Sequence, residues 1–197
     1  MQLFGFLLLD YMENNSKLKM EKFNHLMLDI ETMGTDPYSS ITCIAAVEFN
    51  IQTGETGKEF IRYISLQSCF NVGLKAGADT IMWWLEQNEQ ARLDLIKNEK
   101  IDISQALLDF SEFCNNDYEV WGNSPRFDCG LLKDAYTKCN LPICWNFRKE
   151  RDLRTLVSLK PDIKKNYIFT GTSHNALCDC YNQIGYCVET WKNICTQ

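Results

Sequence analysis

The chain has 197 residues, 45 % of them apolar and 12 % aromatic, which suits one domain with a packed core and excludes global disorder. No apolar run approaches the length of a membrane span, so no membrane partner is expected. Twenty Lys and Arg against 26 Asp and Glu give a formal charge of −6, which counts against a polyanionic ligand as long as only the total is considered. Ten cysteines without a CxxC pair, and only two histidines, His25 and His174, favour reduced thiols in a cytoplasmic protein over a zinc or disulfide framework.

In chain order, the apolar run Leu3–Leu9 ends at Asp10 and lacks both the basic start and the small-residue cleavage site of a signal peptide. Residues 1–19 therefore read as an optional extension, with Met20 as the natural start and 20–197 as a single domain. His25–Ile30 reads as a short buried strand, Ser40–Phe49 as a second and Glu59–Leu66 as a third, with turn chemistry at Gln52–Gly57. These form an antiparallel meander. Helices follow from Asp79 to Asn88 and from Glu89 to Lys97. Ile103, Ala106, Leu107, Phe110, Phe113 and Cys114 then make an amphipathic stripe behind Asp102, a candidate N-cap. Glu119–Trp121 and Ile143–Trp145 read as strands, and Phe127–Lys138 and Asp152–Leu159 as helices. A last helix, Asn175–Ile194, places Leu177, Cys180, Ile184, Val188, Trp191 and Cys195 on its core side. The sum is an α/β domain with a mixed sheet.

Asp29 and Glu31 close the first, otherwise apolar strand. Residues i and i+2 share a face, so two carboxylates point the same way, and their mutual repulsion and desolvation call for compensation. A divalent cation supplies it, and oxygen ligands select Mg²⁺ or Mn²⁺; a solvated loop after the strand is the plain alternative. Asp128 follows a strand and a Gly-Asn-Ser-Pro turn, where a helix-start aspartate is favoured in any case. His174 and Asp179 bracket the start of the last helix, where a loop histidine and a solvated aspartate are equally ordinary.

Together, an Asp-x-Glu strand, an Asp after a strand and turn, and His-x4-Asp resemble the DEDDh branch of the 3′–5′ exonucleases. Asp29-Ile30-Glu31-Thr32-Met33-Gly34, Thr80-Ile81-Met82-Trp83-Trp84, Trp121-Gly122-Asn123 with Phe127-Asp128, and Arg151-Asp152-Leu153-Arg154-Thr155 are similar to the phage exonuclease A and exonuclease VIII-like group, over about residues 24–194. The resemblance implies an RNase H-like fold with a mixed five-stranded sheet flanked by helices. It also implies stepwise hydrolysis of single-stranded DNA or RNA from the 3′ end, releasing nucleoside 5′-monophosphates. Such chemistry uses two cations ~3.5–4 Å apart that clamp the attacking and leaving oxygens. Asp29, Glu31, Asp128 and Asp179 would hold them, with His174 as general base. Relatives often dimerise, so a homodimer is a further expectation.

Thr32, Met33 and Gly34 are expected near the terminal nucleotide. Trp83, Trp84 and Phe127 are candidates for base stacking; adjacent helical residues cannot share one stripe, and Trp83 is favoured for the channel over Trp84. Asn123 contacts the strand or pins its turn, Arg154 contacts phosphate or pairs with a buried acid, and His25 is structural. Between Arg148 and Lys165 seven basic residues face three acidic ones, a solvated loop face or a phosphate-tracking rim. Two other functions stay open: an idle nucleic-acid-binding domain of this fold, and a phosphodiesterase acting on very short oligonucleotides.

Overall fold

The structure is a computed structural model and describes residues 23–195. The reading of residues 1–19 and of Met20 lies outside them. The strands are β1 (His25–Thr32), β2 (Ile41–Phe49), β3 (Thr56–Ile64), β4 (Lys100–Ile101), β5 (Glu119–Gly122) and β6 (Glu150–Asp152). The helices are α1 (Leu66–Asn71), α2 (Ala78–Glu86), α3 (Glu89–Lys97), α4 (Ile103–Phe113), α5 (Asp128–Lys138), α6 (Leu153–Ser158), α7 (Pro161–Asn166) and α8 (Ala176–Cys195).

The sheet order is β4-β3-β2-β1-β5-β6. β1, β2 and β3 pair antiparallel as the meander, whereas β4, β5 and β6 each join a neighbour in parallel. The expected five strands become six, and one of the five is misplaced. Ile143–Trp145 is no strand: Trp145 is buried against Phe110 and Tyr136, and its Nε1 donates to Glu150 at 2.9 Å. The pairing falls instead to the polar triplet Glu150-Arg151-Asp152.

Period-2 alternation along β1 divides the core. Leu26, Leu28 and Ile30 pack with α4 and α5, through Ile103, Leu107, Phe110, Leu132 and Tyr136. Met27 faces the opposite side and packs with α8 and α6, through Cys180, Ile184, Cys187, Leu153 and Val157. Asp29 and Glu31 continue the Met27 face, so alternation aims both carboxylates at α8. The pairing of β1 with β2 shifts register between Glu31 and Thr32, which ends the regular ladder beside the acidic pair.

Helix starts follow local chemistry. Asp102 caps α4 by accepting from the Ser104 N–H at 2.8 Å, Asn88 caps α3 from Ala91 at 2.9 Å, and Asp152 caps α6 from Thr155 at 3.1 Å. On α8 the core stripe holds at Cys180, Ile184 and Val188, but Cys195 is exposed at the helix end. All ten cysteines are free. His25 is structural: its Nδ1 accepts from Trp121 Nε1 at 3.0 Å. Among the described residues no helix is long and apolar enough to cross a membrane.

Candidate active site

Carboxylate oxygens of Asp29, Glu31 and Asp179 all lie within 4.8 Å of one another. β1 supplies the first two, and the first turn of α8 supplies the third. Burial raises the Asp29 pKa well above the usual carboxylate range, with further upward pushes from Asp128, Glu31 and Asp179. Glu31 is pushed up to about 8 by burial and then by the charges of Asp179 and Asp128. Asp179 is raised by burial, against the pull of His174. Three such acids in one place are costly without a cation. Their all-oxygen donor set fits a hard divalent ion.

Asp128 lies beside this trio rather than within it. It is buried at the start of α5 and its Oδ2 accepts from the Ser124 N–H at 3.2 Å. A Cβ at Gly122 would stand 2.8 Å from that Oδ2, so glycine is what lets the carboxylate lie against β5. Burial raises its pKa to about 7, partly offset by backbone N–H donors and by the positive charge of Arg154.

His174 sits in the loop before α8 with φ of 64°, a left-handed backbone that costs a non-glycine residue of order 1–3 kcal/mol. Two hydrogen bonds hold the loop there. The His174 N–H donates to Asp179 Oδ2 at 3.1 Å, and Asn175 caps α8 by accepting from the Cys178 N–H at 3.1 Å. The Asn175 Nδ2 donates in turn to Asp94 of α3 at 2.9 Å. The His174 ring meets Trp83 edge to face at 4.8 Å and Trp84 at 6.2 Å.

A cleft of ≈ 470 Å³ opens beside the acids, lined by Ile30, Glu31, Thr32, Thr35, Asp79, Thr80, Trp83, Trp84 and Phe127. Trp83 is 41 % exposed on its wall, while Trp84 is 4 % exposed and donates its Nε1 to the Thr32 carbonyl at 2.9 Å. Thr32 lines the cleft. Met33 does not: its side chain packs with Trp84 and Ala91 in a separate apolar cluster. Gly34 contributes backbone only, close against Ser39. Phe127 reaches the cleft while also packing on the core. Asn123 lies off the cleft lining, and its Oδ1 is buried with no hydrogen-bond partner. Arg154 is exposed, so it is no buried partner, although its charge reaches Asp128.

Sequence reasoning missed Gln183, which is 5 % exposed and donates its Nε2 to Asp29 Oδ1 at 2.7 Å. The signal that could have found it is its spacing of four from Asp179, which stacks both on one face of α8. Asp94 was missed as well, because its link to the histidine loop spans 81 residues of sequence.

Several solved structures share this fold. Cell-death related nuclease 4 (CRN-4) aligns with a TM-score of 0.63 at 13 % identity, over 87 % of this chain and 64 % of that one. The zinc-bound E. coli ExoI–ssDNA complex gives 0.65 at 16 %, over 89 % and 42 %. The nuclease domain of 3′hExo, a DEDDh family member bound to rAMP, gives 0.55 at 16 %, over 88 % and 94 %. The chain thus spans under two thirds of CRN-4 and about two fifths of ExoI. No curated protein matches it in sequence. A family model does, over residues 24–191, and by that match the chain belongs to the 3′-5′ exoribonuclease Rv2179c-like domain family.

Proposed function

We propose that this protein is a divalent-metal-dependent 3′–5′ exonuclease on single-stranded nucleic acid, using two Mg²⁺ or Mn²⁺ ions and releasing nucleoside 5′-monophosphates. The observation that carries the reading is the convergence of Asp29, Glu31 and Asp179 within 4.8 Å, next to a cleft with an aromatic wall. Asp29, Glu31 and Asp179 would hold the ions, with Asp128 adjoining as the fourth acid. When bound, they supply positive charge for the scissile phosphate and for the departing 3′ oxygen.

The residues of the chain divide the remaining work. Trp83 and Phe127 line a cleft where a terminal base finds an apolar face, worth ~1–3 kcal/mol per stacked base and tolerant of base identity. Thr32 edges the same cleft. His174, whose N–H donates to Asp179 and whose ring meets Trp83, accepts a proton from the attacking water through a ring nitrogen.

The test is digestion of 5′-labelled single-stranded RNA and DNA with Mg²⁺ or Mn²⁺. A ladder shortening one nucleotide at a time from the 3′ end is expected on at least one polymer, and the family match puts RNA first. His174→Ala should retain metal-dependent thermal stabilisation and lose rate by ~10²–10⁴-fold. Metal-independent cutting, or no digestion of either polymer by folded protein, overturns the reading.

A further inference from the structure

The seven basic residues between Arg148 and Lys165 do not form one rim. Arg151 pairs with Glu119, Lys149 donates its Nζ to the Asp117 carbonyl at 2.8 Å, and the Arg148 guanidinium lies 5.2 Å from the Phe147 ring. These three belong to the outer sheet edge near β6. Of the other four, Arg154 on α6 and Lys164 and Lys165 on α7 converge on a separate cleft of ≈ 350 Å³, completed by Val157, Ser158 and Pro161, while Lys160 is not part of its lining.

No carboxylate lines that cleft, and no ion pair joins any of the three cations among the described residues. Asp162 shares α7 but is not part of the lining. Lys164 lies over the Tyr186 ring at 5.1 Å, and its pKa is lowered by partial burial and then by the charge of Arg154. Like charges held together without a counterion are unfavourable, and a bound anion removes the penalty.

The cleft lies on the acids' side of the sheet: α6 and α7, which carry its three cations, both pack against α8, the helix that carries Asp179 in its first turn. The Arg154 charge also reaches Asp128. The aromatic cleft, lined from β1, α2 and the start of α5, shares no residue with it. The acids therefore have an apolar aromatic cleft and a cationic one as separate neighbours.

We propose that the Arg154–Lys164–Lys165 cleft holds a phosphodiester group of the bound strand, at least one nucleotide away from the bond that is cut. This rests on the exonuclease reading for the identity of the strand. It explains how a chain of charge −6 holds a polyanion: the attraction is local, in one cleft.

Two readouts test it on the full chain, with Lys164→Gln/Lys165→Gln and the charge-preserving Lys164→Arg/Lys165→Arg, both checked for fold by circular dichroism. In the first, a 5′-fluorescein single-stranded octanucleotide is titrated by anisotropy in Ca²⁺ across salt. The Gln pair should weaken binding about tenfold and flatten the log–log salt slope by about 0.7 for each phosphate no longer neutralised. The Arg pair should restore both. In the second, kcat/KM is compared on the octanucleotide and on a dinucleotide, and the Gln pair should erode the preference for the longer strand.

Octanucleotide affinity, salt slope and length preference unchanged by the Gln pair would overturn the phosphate cleft, even with the wild type fully active. A wild type that binds the strand but digests nothing removes the exonuclease reading and leaves the cleft to be judged on the binding arm. A wild type that neither binds nor digests overturns both.

Discussion

Asp29 is pulled two ways. Burial and then the charges of Asp128, Glu31 and Asp179 push a proton onto it, while Gln183 Nε2, 2.7 Å away, favours the charged carboxylate and occupies one of its oxygens. On the proposed reading that hydrogen bond would orient Asp29 as a metal ligand, and groups that orient metal ligands typically govern affinity by 10–100-fold. Gln183→Leu should therefore weaken Mn²⁺ binding by about 10–100-fold, measured by calorimetry, while the fold persists in far-UV circular dichroism. Unchanged affinity would mean that Asp29 is aligned by its strand alone. Asp29 and Glu31 stand out in the sequence because carboxylates interrupt an apolar strand, whereas Asp128 and Asp179 are ordinary helix-start residues that only the motif combination and its family resemblance single out. Gln183 was not legible, since a neutral amide near an apolar stripe carries no comparable signal.

Among the elements, long periodic segments were readable and short polar ones were not. α4 begins at Ile103 behind the Asp102 cap, as its stripe required, and α3 spans Glu89–Lys97 as its charge pattern suggested. β4 has two residues and β6 three, too few to display alternation. α1 and α7 have six residues each and were missed, whereas α6, equally short, was read together with its Asp152 cap. At Ile143–Trp145 an apolar triplet imitated a strand, although Trp145 is buried there by tertiary packing. Met33 was placed near the nucleotide by its neighbours in sequence, whereas its side chain packs among the apolar residues beside Trp84.

One measurable consequence at this scale concerns α4, whose inner face supplies Ile103, Ala106, Leu107 and Phe110 to the core. Asp102→Ala removes the acceptor for the Ser104 N–H and should cost about 1 kcal/mol in urea unfolding, with digestion kinetics unchanged. Phe110→Ala, at 0 % exposure in contact with Phe60 and Trp145, should cost about 3–5 kcal/mol. If the two variants were destabilised alike, the cap would be holding more than one helix end.

For the whole molecule, stability must respond to pH from opposite sides. His25, kept neutral by burial and by the charge of Arg151, has its pKa lowered from 6.5 to about 4. Its contribution is complete above 6.5 and is lost as pH falls towards 4. Glu31 and Asp128 are raised to about 8 and about 7, so their contribution is present at acid pH and is lost as pH rises through those values. The raised acids outnumber the one lowered histidine, so thermal melts in EDTA should decline as pH rises from about 5 to about 8. Added Mg²⁺ or Mn²⁺ should raise the melting temperature more at pH 8 than at pH 6, because the ligands must be deprotonated to bind. A melting temperature in EDTA that climbs steadily to pH 8 would contradict the buried acidic group.

The bond from Asn175 to Asp94 has a consequence of its own. It ties the loop bearing His174 to α3, the helix that follows the tryptophans of α2, and the imidazole edge rests on Trp83. The Asn175 amide and the Trp83 indole thus brace the His174 loop from two sides, so a substitution on either α2 or α3 bears on where the histidine sits.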